Sequence, residues 1–592
     1  MKTPPASRQN DSCPASPPAS PERRAFVKGL ATLGAGLASS TVFSNSAQAQ
    51  PAAAKAGPAE RAPGLTTASD AATVVETTAG KIRGCRRNGV YGFRGVPYGA
   101  STGGAARFLP PQKPGRWAGI HNALHYGHVC PIGDPAHGYA DGGNRADKDE
   151  DQFLLYRGYA EQVPGEDCLR VNVWTPEING SGRRPVMIYM HGGGFTGGCS
   201  QDLLSYDGEN LARNHDVVVL THNHRLNAFG YLNLMEHGSK YAASANVGML
   251  DIVAVLEWVR DNIANFGGDP GNVTVFGQSG GGGKVAALMA MPSAKGLFHR
   301  AIIQTGPYLR FLTMEESNQL SAAMLQELGV TKDRIDDLQK LPVERILAAV
   351  GAMGRKFPRG GTNPLKRTFG GIVFSPTVDG TILPTHPFDP GAPAISASVP
   401  LMVGSNFHEF VNGCDNPQVT TMTDDDLTRR VREAFGDKAP AIIAAYRKEY
   451  PRNSPFDHYA SIAAAPVREA SFTQTARKAA LGAAPAYQYM FSWRTPVLDG
   501  RPGTFHSCEV SFAFDNAELC DHYSGRTPEA LALAKQVSGA WVSFARTGNP
   551  NHPGLPHWPA FTAEKCETMV FDAPCEVRNN LEAEGRRLTA MA

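Results

Sequence analysis

The sequence predicts an α/β fold with a large central, mostly parallel sheet flanked by helices, and three local patterns carry that expectation. The apolar alternation Val273, Val275, Phe276 runs into Gly277-Gln278-Ser279-Gly280-Gly281 and then into a small-residue, Ala-rich stretch. That order reads as a strand, a tight turn and a helix. The apolar run Val186-Met187-Ile188-Tyr189-Met190 ends in His191-Gly192-Gly193-Gly194-Phe195. A third run, Val399-Pro400-Leu401-Met402-Val403, leads into Gly404-Ser405-Asn406-Phe407-His408-Glu409. Short apolar runs that stop at glycine are the mark of buried strands.

The first pattern carries chemistry. A G-x-S-x-G segment between strand and helix places one serine, Ser279, at the apex of a sharp turn over the end of the sheet. Glycine-rich pentapeptides also occur in ordinary turns, so the strand before and the helix after are what favour a nucleophile elbow. A serine hydroxyl needs a base to take its proton, and the oxyanion it creates needs preorganised donors. Three successive glycines after a buried strand can supply them: the N–H groups of Gly193 and Gly194, with that of Gly280, are expected to form an oxyanion hole. The bland alternative is a strand-ending loop, which seldom needs three glycines in a row. Losing one such donor costs about 2.7–4 kcal/mol of transition-state stabilisation.

These motifs together resemble the type-B carboxylesterases of the α/β-hydrolase superfamily, a family that also holds the cholinesterases and the non-catalytic neuroligins. Val74-Val75-Glu76-Thr77 and Phe93-Arg94-Gly95-Val96-Pro97-Tyr98 look like its opening strands. Glu166-Asp167-Cys168-Leu169 with Asn172-Val173-Trp174-Thr175-Pro176, then Asn246 to Asp251 and Phe266 to Pro270, continue the likeness. Trp541-Val542-Ser543-Phe544-Ala545 with Trp558-Pro559 closes it, so it spans roughly Val74 to Asp572.

The resemblance implies a triad in the chain order serine, acid, histidine. Glu409 fits the family's G-x-N-x-x-E segment, and His506 in Gly503-Thr504-Phe505-His506 fits the base. Without the family, each would be taken for a surface residue. The implied activity is hydrolysis of a small-molecule carboxylic ester through an acyl-enzyme, with no metal or organic cofactor. Amidase, carbamate hydrolase or lactone-opening activity would use the same apparatus, and a neuroligin-like binding protein is the non-catalytic alternative. Gln278 and Phe195 are the candidate pocket residues. Cys130 and Cys168 resemble the family's first bridge, while Cys508–Cys520, Cys566–Cys575 and Cys199–Cys508 are further pairings that sequence leaves open.

The chain departs from the family in three places. Gln278 stands where glutamate is usual, and Gly280, followed by Gly281, Gly282 and Gly283, stands where alanine is usual. The extra glycines would either soften the oxyanion corner or serve helix packing. The loop between Cys130 and Cys168 has no tryptophan, which argues against choline esters, since cholinesterases use one there for cation–π attraction. His222 and His224, at a strand end, share a face by alternation, and no third ligand for a metal is evident.

Helical patterns with apolar Leu320, Met324, Leu328, Ile335, Leu338, Ile346, Leu347 and Val350 predict a cap insertion over about 309–370, and another is expected over 424–477. The catalytic domain is expected over 73–592. Ahead of it, Arg23-Arg24-Ala25-Phe26-Val27-Lys28, a weakly apolar run and Ala47-Gln48-Ala49 form a twin-arginine signal over 1–49, with a Pro/Ala-rich linker over 50–72. The apolar run is too dilute for a spanning helix of about 20 apolar residues. Export in this manner implies a bacterial periplasmic or secreted protein, without a membrane span once the leader is removed. Formal charge is +2, and loss of five basic and two acidic residues with the leader leaves −1. No basic field points to nucleic acid. The oligomeric state has no signature in the sequence.

Overall fold

The computed structural model describes residues 66–132, 153–155, 162–357, 373–414 and 416–590. The expected signal, most of the linker, and parts of the Cys130–Cys168 loop and of the first cap lie outside the described residues.

The strands in chain order are β1 (Val74–Thr77), β2 (Gly80–Arg83), β3 (Cys85–Arg87), β4 (Val90–Pro97), β5 (Ile120–Asn122), β6 (Arg170–Thr175) and β7 (Arg184–Met190). They continue with β8 (Val218–His222), β9 (Gly268–Gln278), β10 (Arg300–Gln304), β11 (Leu401–Asn406), β12 (Ala486–Phe491), β13 (Thr568–Phe571) and β14 (Glu576–Arg578). A small sheet pairs β1, β2 and β5. The large sheet has eleven strands in the order β14-β13-β12-β11-β10-β9-β7-β8-β6-β4-β3. Its centre, β8 to β13, is parallel, and the antiparallel pairs lie toward the edges. This is the α/β-hydrolase fold.

The unbroken apolar character of β7 has a direct cause. Val186, Ile188 and Met190 pack into one core, and Met187 and Tyr189 into another, on opposite faces of the sheet. Alternate side chains point to opposite faces, so a strand covered on both must be apolar throughout. The helices Val247–Asn262 and Gly280–Ala290 contribute to the first core, and Pro528–Thr547 to the second. The run Ser239–Phe266 is long and apolar enough to cross a bilayer by composition, yet 72% of its apolar 18-residue stretch is buried within the fold.

The two insertions are helical. The first holds Met314–Leu328, a 3-10 segment at Lys332–Lys340 and Val343–Lys356. The second holds Asp424–Phe435, Ala439–Glu449 and Pro455–Ala479. Three of these helices start at capping boxes, Thr313 with Glu316, Thr423 with Asp426 and Ser454 with Asp457, which satisfy otherwise orphaned N–H groups. Leu320, Met324, Leu328, Ile335, Leu338, Ile346 and Val350 are buried as expected, whereas Leu347 is half-buried.

The expected Cys130–Cys168 bridge is not formed: both are buried free thiols in contact with each other. The hydrogen bond to Cys130, together with burial, pushes the Cys168 thiol well above its ordinary range. Cys168 is therefore not poised as a thiolate, the species that enters thiol–disulfide exchange. Cys508, Cys520, Cys566 and Cys575 are free thiols as well.

Candidate active site

The site follows from strand order. From β7 the chain goes to β8 on one side and then crosses to β9 on the other. Such a reversal opens a crevice at the carboxyl ends of the strands. Met190, the last residue of β7, pairs with Gly277 of β9. The triple-glycine loop and the serine turn therefore leave neighbouring strands side by side.

Ser279 sits between β9 and the helix Gly280–Ala290 with φ 58° and ψ −123°. For a non-glycine residue that conformation is strained by about 1–3 kcal/mol and must be held from outside. The Ser279 N–H donates to the Gln304 carbonyl of β10 at 2.8 Å, and the Ser279 carbonyl accepts from Gly283 N–H at 3.2 Å. Neither bond uses Oγ, which has no hydrogen-bond partner among the described residues.

The glycines around it are there for contact. A Cβ on Gly280 would lie 2.2 Å from the Gly194 carbonyl oxygen, and one on Gly281 would lie 1.9 Å from that of Met190. The Gly280–Gly283 run thus lets the helix press against the oxyanion loop and the ends of β7 and β10, which decides for helix packing over a softened corner. Gly193 and Gly194 adopt φ 84° and 64°. Their N–H groups have no acceptor among the described residues.

Glu409 and His506 arrive on the loops after β11 and β12. His506 Nδ1 donates to Glu409 Oε2 at 2.6 Å. Glu409 is 1% exposed, and its other oxygen, Oε1, accepts from Asn406 N–H at 2.6 Å and Thr305 Oγ1 at 2.9 Å. Backbone bonds lock the two loops together, with His506 N–H donating to the Glu409 carbonyl at 2.9 Å. Phe410 lies over the imidazole with ring centroids 4.0 Å apart. Glu509, one turn beyond the histidine, is pushed up to about 8 by burial and then by Glu409, and its Oε2 accepts from Asn406 Nδ2 at 2.7 Å. Burial thus favours its protonated form, and Glu409 is the carboxylate bonded to the histidine. His408, next to the acid, has a structural role between Asp457 and Thr504 N–H.

Two sequence expectations need revision. Gln278 is more than a pocket lining: its amide nitrogen stands 3.1 Å from His506 Nε2, where a Ser279–His506 bond would form. The described structure closes the glutamate–histidine arm and leaves the serine arm open, as uncomplexed sites commonly do. Phe195, the other pocket candidate, is 2% exposed and belongs to the core, edge-on to Tyr231, Tyr308 and Phe311 at 5.4–5.6 Å. Three aromatic neighbours enclose its ring, so it backs the loop from behind. Thr305, Asn406 and Phe410 had no functional signal of their own in the sequence, although Asn406 is the central residue of the motif that ends at Glu409.

His222 and His224 acquire a third ring, His191, stacked on His224 with centroids 4.8 Å apart. No group of three or more histidine, cysteine or acidic residues is arranged to hold a metal among the described residues. Two shallow hollows of about 330 and 130 Å³, beside Arg183 and Arg184 and beside Tyr446 and Glu582, lie away from these residues.

Residues 71–588 match the carboxylesterase family. Para-nitrobenzyl esterase of Bacillus subtilis (strain 168) is 33% identical, over 87% of this chain and 98% of its own. Phenmedipham hydrolase of Pseudarthrobacter oxydans is 32% identical, over 86% of this chain and 97% of its own. A solved esterase from Clostridium hathewayi, reported to hydrolyse aliphatic aromatic polyesters, superposes with a TM-score of 0.75 at 35% identity, over 89% of this chain and 99% of its own. With the serine elbow, the glycine loop and the glutamate–histidine pair set on one crevice, the chain belongs to the carboxylesterase family.

Proposed function

We propose that the protein is a serine carboxylic-ester hydrolase that forms an acyl-enzyme on Ser279 and prefers short- to medium-chain or aromatic esters. The observation that carries this is the His506–Glu409 pair, held at 2.6 Å beside a strained serine turn that abuts two glycine N–H groups without acceptors among the described residues. His506 Nε2 takes the Ser279 proton as Oγ attacks the ester carbonyl, and Gln278 must release that nitrogen for the step to begin. The N–H groups of Gly193, Gly194 and Gly280 receive the oxyanion. The imidazolium, steadied by Glu409, protonates the departing alkoxide, and the same histidine then activates the water that frees the acid. The ring of Phe410 over His506 favours flat or aromatic groups near the reacting carbonyl.

A carbamate is the second reading, favoured by the likeness to phenmedipham hydrolase. The twin-arginine segment supports export to the periplasm or beyond.

Hydrolysis of p-nitrophenyl esters from acetate to decanoate, with a phenyl carbamate alongside, tests the reading. The expected profile has kcat/KM highest at short to medium chains and falling by decanoate. Turnover of the carbamate alone would replace the ester assignment with the second reading.

A further inference from the structure

The helix that follows Ser279 carries a buried cation that the reaction above does not use. Lys284 is fully buried, one turn beyond Gly280 and on the same helix face. That face meets the oxyanion loop: Gly280 abuts Gly194, and Lys284 Nζ donates to the His191 carbonyl at 2.9 Å. Among the described residues no carboxylate pairs with it. The titratable groups that face it are His191 on the loop and His222 and His224 at the end of β8. Burial lowers all three, with Lys284 as the second cause, His222 to about 3, so they stay neutral. The Phe195 ring also lies beside it, its centroid 5.5 Å from Nζ.

We propose that Lys284 is a positioning residue for the oxyanion hole, its ammonium fixing the His191–Gly192 peptide from which the triple-glycine loop springs. The loop has other ties: His191 Nδ1 to the Gly192 carbonyl at 2.9 Å and Gly197 N–H to the Gly193 carbonyl at 3.1 Å are local, and Asn227 N–H to the Phe195 carbonyl at 2.7 Å anchors its far end away from the serine helix. Lys284 is the side chain that couples the loop to the serine helix. A charged donor makes a shorter and stronger bond than a neutral one. Its field in a dry interior also favours the negative charge that develops beside the loop. An isolated ammonium is costly to bury, and burial brings Lys284 down to about 7. The hold on the loop is therefore strongest in acid and weakens as the amine loses its proton.

This inference rests on the serine-hydrolase reading, and the test separates the two. Wild type, Lys284→Met, Lys284→Gln and Ser279→Ala are assayed on p-nitrophenyl butyrate from pH 5.5 to 9. At pH 6, Lys284→Met should lower kcat about ten- to a hundredfold, as expected for one charge-assisted hydrogen bond, with KM within about twofold. The ratio of wild-type to Met-variant kcat should fall as pH rises through about 7. Lys284→Gln, which retains a donor without a charge, should recover part of kcat.

Folding is followed by thermal unfolding, where the sign is fixed by linkage. Between about 7 and the ordinary lysine value of 10.5, the unfolded chain holds a proton that the folded one has lost, so lysine's penalty is largest below that window. The Met variant should then unfold above wild type at pH 6, by a margin that narrows at pH 9. A kcat ratio independent of pH, or a Met variant that unfolds below wild type at pH 6, would overturn the proposal. Retained activity in Ser279→Ala would instead remove the reading beneath it.

Discussion

Ser279→Ala should lower kcat by at least about 10⁴-fold while leaving the fold intact. The turn is held by the Ser279 backbone, through Gln304 and Gly283, and Oγ contributes no hydrogen bond to it. Alanine keeps Cβ and the same backbone strain, so stability should stay within about 0.5 kcal/mol of wild type. The oxyanion loop and His506 are untouched, so KM should move little and a residual rate should persist. Steady-state kinetics with thermal unfolding on the same preparation check both halves. A variant that keeps a tenth of wild-type kcat would mean that another group attacks the substrate.

Glu409→Gln should cost about 10⁴-fold in kcat, although it alters one atom. The reason lies in the two ends of the carboxylate. Oε1 is fixed by two donors, Asn406 N–H and Thr305 Oγ1, so the oxygen of a glutamine amide must stay at that end. Its NH₂ then faces His506 Nδ1 and requires that nitrogen to accept. The imidazole proton moves to Nε2, the atom that must take the proton of Ser279. The wrong tautomer is thus enforced by two hydrogen bonds remote from the serine. Glu409→Ala, which frees the imidazole to choose, should be no worse than Glu409→Gln. A Gln variant within tenfold of wild type would exclude this role for Glu409.

The parts of the site that were legible in the sequence are those whose conformation is written locally. A strand, a G-x-S-x-G turn and a small-residue helix dictate where Ser279 points, and three glycines dictate that the backbone after β7 can turn its N–H groups outward. Glu409 and His506 were reachable only through resemblance. Their meeting depends on β11 and β12 lying parallel side by side, a pairing between segments 97 residues apart at the site. The approach of Gln278 to His506, the support from Thr305 and the third histidine ring are long-range in the same way. Phe195 shows the limit from the other side: a motif residue next to the oxyanion glycines turned inward, because aromatic partners from two distant segments were there to cover it. The glycine run after Ser279 had two sequence explanations, and only the 1.9–2.9 Å distances for an added Cβ chose between them.

Hydrolysis by this route requires that Ser279 become covalently acylated. Labelling with a p-nitrophenyl alkylphosphonate, whose phosphorus is attacked as an ester carbonyl would be, followed by peptide mass spectrometry, tests it most directly. One adduct per chain is expected, on the peptide bearing Ser279, with activity lost in proportion and no adduct in Ser279→Ala. An adduct on a different residue that tracks the loss of activity, or full activity after Ser279 is labelled, would contradict it.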